Sequence, residues 1–70
     1  MKISEAIKQI RQTAMLSQED FARELDVSFA TVNRWENGKT APTYKKMRQI
    51  KEYCAKNSIP FEIKMEGNNG

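Results

Sequence analysis

The stretch Ser17-Gln18-Glu19-Asp20-Phe21-Ala22-Arg23-Glu24-Leu25-Asp26-Val27-Ser28-Phe29-Ala30-Thr31-Val32-Asn33-Arg34-Trp35-Glu36-Asn37-Gly38 carries start and stop signals for two short helices with almost nothing between them. Ser17 followed three residues later by Asp20 has the spacing of a capping box, in which a side-chain oxygen takes a backbone N–H left open at a helix start. Phe21, Ala22 and Leu25 then supply an apolar stripe, and the helix is predicted to end near Leu25. Asp26-Val27-Ser28 leaves room only for a tight turn. Asp26 tolerates the left-handed region better than most residues, and Ser28 can cap the helix that follows. That helix is predicted from Phe29 to Asn37, where Gly38 can take the positive φ that a helix end commonly needs.

Outward from this core the pattern stays helical. Ile3, Ala6, Ile7, Ile10 and Ala14 recur at three- and four-residue steps, which predicts an amphipathic first helix with Ser4 near its start. Pro42 marks a loop. Thr43 is a candidate N-cap for a fourth helix, with Tyr44, Met47, Ile50 and Cys54 at helical spacing and Asn57 or Ser58 near its end. After it, Ile59, Phe61, Ile63 and Met65 alternate with Pro60, Glu62, Lys64 and Glu66, the period of a strand. The expected organisation is one domain over residues 1–58, a strand or dimerisation tail over 59–66, and a disordered end over 67–70.

The helix from Phe29 to Asn37 has two distinct sides. At about 100° per residue, Ser28, Val32 and Trp35 cluster on one side, which must face the core. Ala30, Asn33, Arg34 and Asn37 lie opposite: hydrogen-bonding groups, one cation and no carboxylate. Such a surface suits a DNA major groove, where Arg34 can make paired bonds to guanine O6 and N7, Asn33 can meet an adenine edge, and Ala30 can touch a thymine methyl. Phe29 falls between the two sides, half exposed, free to pack or to cover a thymine methyl. Glu36 lies beside the apolar side, where a lone carboxylate is costly, so it calls for a partner from another helix, with Arg11 the leading candidate.

Composition narrows the class. With 39% hydrophobic and 30% charged residues and a net charge of +3, the chain is an ordinary globular protein. Its charge is unevenly spread: from Asn37 to Lys51 there is no acid, while Lys39, Lys45, Lys46, Arg48 and Lys51 are cationic. Cys54 is the single cysteine and there is no histidine, so no intrachain disulfide forms, no metal or other cofactor is expected, and a reducing cytoplasm is the natural setting. Met1-Lys2-Ile3-Ser4-Glu5, followed by Lys8 and Arg11, holds no apolar run, so neither a signal peptide nor a membrane partner is expected. An enzyme would lack parts, with no histidine, no Gly-rich phosphate loop, and Cys54 on an apolar stripe.

The combination of Ser17-Gln18, Phe21-Ala22, Val27-Ser28 and Trp35-Glu36-Asn37-Gly38 at this spacing resembles the phage-repressor and Cro-type helix-turn-helix family, over residues 3 to 56. The resemblance implies a mainly α, four- to five-helix lambda-repressor-like domain, here with a short C-terminal strand. It also implies a regulator of transcription that binds double-stranded DNA sequence-specifically. By the same resemblance, Phe29, Ala30 and Arg34 face bases with Ser28 nearby, Gln18, Asn37 and Lys39 hold the DNA backbone, and Arg11 with Glu36 forms an internal ion pair. Asn33, from its place on the outward side, is added to the expected base contacts, and Ser17, at the start of the second helix, to the expected backbone contacts. Ser17 and Ser28 serve first as caps. Asp26 stands where the family usually has glycine, and Phe29 and Ala30 where long polar side chains often read bases, so no target sequence carries over.

The tail leaves two arrangements open. A lone strand has unpaired groups on both edges, so residues Ile59, Phe61, Ile63 and Met65 either pair with a second copy across a two-fold axis or dock within one chain. An exposed tail would also suit the alternative function, a protein-interaction module such as an antitoxin or recruiting domain.

Overall fold

The computed structural model describes residues 2–63. Among them lie α1 (Ile3–Thr13), α2 (Gln18–Leu25), α3 (Phe29–Glu36) and α4 (Tyr44–Lys56), and no strand. Three helices start on the side chains marked in the sequence. Ser17 Oγ accepts from the Asp20 N–H at 3.0 Å, Ser28 Oγ from Thr31 at 3.1 Å, and Thr43 Oγ1 from Lys46 at 3.2 Å. At the head of α1 the Lys2 N–H donates instead to the Glu5 carboxylate, at 3.4 Å.

All four helices end in the same way. The N–H two residues past the last turn reaches back five residues, from Leu16 to Arg11, Val27 to Ala22, Lys39 to Arg34 and Ile59 to Cys54, at 2.9–3.1 Å. The residue before each of these donors is left-handed: Met15 at φ 60°, Asp26 at 58°, Gly38 at 76° and Ser58 at 57°. This is the Schellman arrangement, in which an apolar residue after the left-handed one commonly packs back on the helix. Leu16, Val27 and Ile59 do so, lying against the core. The fourth such residue is Lys39, and it is exposed.

Met15 is the misfit among the left-handed residues, because a Cβ-bearing side chain crowds its carbonyl there and it gains nothing from burial, being 89% exposed. Met15→Gly is expected to raise the unfolding free energy by about 1 kcal/mol, roughly 4–8 °C in Tm for a domain of this size. Thermal melts of the two proteins check this; an unchanged or lower Tm would show that the left-handed Met15 carries no strain.

The core forms where α3 packs against α1 and α2, and α2 against α4. Ile7, Phe21, Val32, Ile50 and Cys54 are wholly enclosed, with Ala6, Ile10, Ala22, Leu25, Trp35 and Met47 around them. Two placements differ from the sequence reading. Tyr44, assigned to the apolar stripe of α4, is 63% exposed, because Thr43, Tyr44 and Lys45 form a first turn that stands clear of the packed body. Ser28, grouped with Val32 and Trp35, is exposed, because as the N-cap it lies ahead of the helix and turns back on Thr31.

The tail also differs. As far as Ile63 it runs without strand structure, since no neighbouring strand among the described residues can receive its backbone groups. Instead the Ile59 N–H closes the end of α4, while Ile59 and Phe61 pack on the core and Ile63 is 7% exposed. Within the single chain, Ile59, Phe61 and Ile63 thus lie on the core. Met65, and residues 67–70 with their expected disorder, lie outside the described residues.

Burial pushes the Cys54 thiol above its ordinary range. A raised acid favours its protonated form in the fold, so the associated stability is complete below the unfolded thiol's pKa of about 8.5 and is lost as pH climbs past it. Unfolding free energy is therefore expected to hold steady through neutrality and decline above about pH 8.5. Tyr53, raised chiefly by burial and then by Glu24 and Cys54, adds its own decline only nearer pH 10. Denaturant titrations of Cys54→Ala should show a flatter profile between these two values at a lower stability overall; an identical slope would assign the alkaline loss elsewhere.

Candidate nucleic-acid interface

The turn from Asp26 to Ser28 sets α3 across α2, and packing divides α3 lengthwise. Val32 and Trp35 are buried, at 0% and 3% exposure, while Ala30, Arg34 and Asn37 are exposed, Phe29 is half exposed, and Asn33 lies at the boundary. Arg34 forms no ion pair among the described residues. Its guanidinium fork is thus carried on the outward side of α3 with, among the described residues, no donor spent on an ion pair.

Glu36, the one acid of α3, is turned inward. Its side chain is 4% exposed and that of Arg11 13%, and the pair is bidentate: Arg11 Nε donates to Glu36 Oε2 at 2.7 Å and Nη2 to Oε1 at 3.0 Å. Arg11 Nη1 also donates to the Leu16 carbonyl at 2.9 Å, so one guanidinium ties α1, the loop before α2, and α3. The hydrogen bond to Glu36 raises the Arg11 pKa further, against the opposing effect of burial, so the charge persists at every working pH.

A family model described as helix-turn-helix matches residues 7–57. The chain belongs to the phage-repressor and Cro-type helix-turn-helix family. No curated protein and no solved structure gave a significant match. The family's members are DNA-binding regulators, and in this helix-turn-helix protein the unit comprises α2, the turn at Asp26–Ser28, and α3. No described helix is long and apolar enough to cross a membrane.

The positions named from sequence fall into three settings in this helix-turn-helix protein. Phe29, Ala30, Arg34 and Lys39 are exposed and, among the described residues, their side chains make no internal hydrogen bond. Ser17 and Ser28 are exposed, but their hydroxyls already cap α2 and α3. Gln18, Asn33 and Asn37 are joined to one another: Gln18 Nε2 donates to Glu36 Oε1 at 3.0 Å, Asn33 Nδ2 to Gln18 Oε1 at 3.2 Å, and Asn37 Nδ2 to Asn33 Oδ1 at 3.0 Å.

Two further features escape sequence reading. Lys46, one of the cations in the acid-free stretch, donates from Nζ to the Leu25 carbonyl at 2.7 Å, neutralising the open end of α2 and leaving Lys45, Arg48, Lys51 and Lys56 as the exposed cations of α4. Lys2 and Ser4, at the head of α1, line a shallow groove with Asn37, Lys39 and Thr40, which places the exposed Lys2 beside the end of α3. Both contacts span more than twenty residues of chain, and no local pattern announces them.

Proposed function

We propose that this helix-turn-helix protein binds double-stranded DNA sequence-specifically and regulates transcription, with α3 in the major groove. The observation that carries this reading is Arg34, exposed and, among the described residues, without an ion pair, on the outward side of a helix whose other side is locked into the core by Val32 and Trp35. A helix with its side chains is about 10–12 Å across and the groove about 12 Å wide, so α3 fits it whole. Arg34 takes a guanine edge, Phe29 and Ala30 lie against thymine methyls, and Ser28 and Asn33 sit beside them. Ser17, Gln18, Asn37 and Lys39 flank α3 at both ends and hold phosphates. Lys39 suits this role because a Schellman turn fixes its backbone while its side chain stays in solvent. The docked tail buries Ile63 and partly covers Ile59 and Phe61, which reduces the apolar surface that an interaction module would use.

The test is a mobility shift on random duplexes at low salt, followed by rounds of selection. A retarded complex that dissolves steeply as salt rises, because neutralised phosphates release counterions, together with one enriched motif, is the expected result. A shift without enrichment would reduce the protein to a non-specific binder, and no shift would remove DNA altogether. The motif also reports stoichiometry: half-sites repeated about 34 Å apart mark a dimer, a single half-site a monomer.

A further inference from the structure

The amides of Gln18, Asn33 and Asn37 form a line that begins at a charge. Glu36 is an ionised carboxylate, and a carboxylate only accepts hydrogen bonds. Its Oε2 takes Arg11 Nε, and its Oε1 takes both Arg11 Nη2 and Gln18 Nε2. Gln18 must therefore turn its NH2 toward Glu36, which leaves its oxygen facing α3. That oxygen demands a donor from Asn33, which leaves the Asn33 oxygen to demand a donor from Asn37. Reversing Gln18 or Asn33 would set oxygen against oxygen, or NH2 against NH2, at both of its neighbours, and reversing Asn37 would do so against Asn33. The sense of the whole line is dictated by the buried charge at its head.

We infer that Glu36 is a positioning residue for base recognition, setting through Gln18 the amide orientation of Asn33 and Asn37 on the outward side of α3. This rests on the DNA-binding reading above and adds to it a source of specificity that touches no base. In this arrangement Asn33 is no free swivelling amide. One of its N–H groups and one of its oxygen lone pairs are spent, so it offers the DNA a single further donor and a single further acceptor, in fixed places. An adenine edge, which presents one acceptor and one donor in the major groove, is the partner that such an amide can match in one orientation only. Freed from Gln18, the same side chain could rotate by half a turn and lose that discrimination.

Two variants separate the line from the fold. Gln18→Met keeps the length of the side chain and leaves the Arg11–Glu36 pair intact while removing both links. Glu36→Gln replaces an obligate acceptor by a group that can also donate, and so permits the reversed sense. In the DNA-free protein, the side-chain NH2 resonances of Asn33 and Asn37 are followed by nuclear magnetic resonance. The expected result for Gln18→Met is a shift at both, including Asn37, which Gln18 does not touch; a change confined to Asn33, or none, overturns the line. In the selection experiment, preference at one base position should fall by about fivefold or more, the low end of what a well-oriented pair discriminates, while the position read by Arg34 keeps its preference. An unchanged profile for both variants overturns the role in specificity. A wild-type protein that enriches no site defeats the sequence-specific reading itself, and that failure is separable because the amide measurement needs no DNA.

Discussion

Arg11→Ala is expected to cost the fold about 3–5 kcal/mol, the range found when one partner of a buried ion pair is removed. The physical reason is the state of what remains. Glu36 is almost wholly enclosed, and without Arg11 it would keep a single donor, Gln18 Nε2, for a full negative charge. The Leu16 carbonyl would lose its guanidinium donor in the same step, loosening the turn that leads into α2. For a chain of 70 residues at about 0.05–0.15 kcal/mol each, that loss is between about a third and the whole of the total stability. Urea titrations measure it directly. The informative companion is Arg11→Met combined with Glu36→Leu, which removes both charges and fills the space; it is expected to recover most of the loss. A double variant as unstable as the single one would show that packing of the Arg11 stem, and not the unpaired carboxylate, carries the cost.

Arg34→Ala is expected to leave stability nearly untouched and to remove about 1–3 kcal/mol of discrimination at one base pair, roughly five- to 150-fold in relative affinity. The side chain is exposed and forms no ion pair among the described residues, so the fold loses little. Arg34→Lys should fail almost as fully at that base pair, because a lysine ammonium lacks the planar fork that matches two acceptors at once. Lys39→Ala is expected to behave differently: affinity for every sequence falls together, and the slope of log affinity against log salt shrinks by about 1. Fluorescence anisotropy on the selected site and its single-base variants, at several salt concentrations, distinguishes these outcomes. Undiminished discrimination by Arg34→Ala would count against base reading by α3.

The helices were legible because their signals are local. Ser17, Ser28 and Thr43 cap the helices they precede, and Asp26 and Gly38 take left-handed backbone where helices end. Val32 and Trp35 turn inward and Arg34 outward as the helical period requires. The tail misled because alternation specifies a strand only when a partner edge exists. From Ile59 to Ile63 the apolar side chains found the core of their own chain. Tyr44 misled for a related reason, since helical spacing indicates which side of α4 a residue occupies but not how far along α4 the packed body extends.

The sequence by itself determined the starts and stops of α2, α3 and α4, the apolar stripes that pack the helices, and the side of α3 that turns to solvent, because caps and periodicity act over a few residues. Only the tertiary structure decided that Lys46 closes the end of α2, that Lys2 stands beside Lys39, and that Gln18, Asn33 and Asn37 are aligned behind Glu36. Apart from the link between Asn33 and Asn37, those contacts join different elements of the fold. They depend on the angle and register at which the helices pack, and the shape of the whole core fixes both.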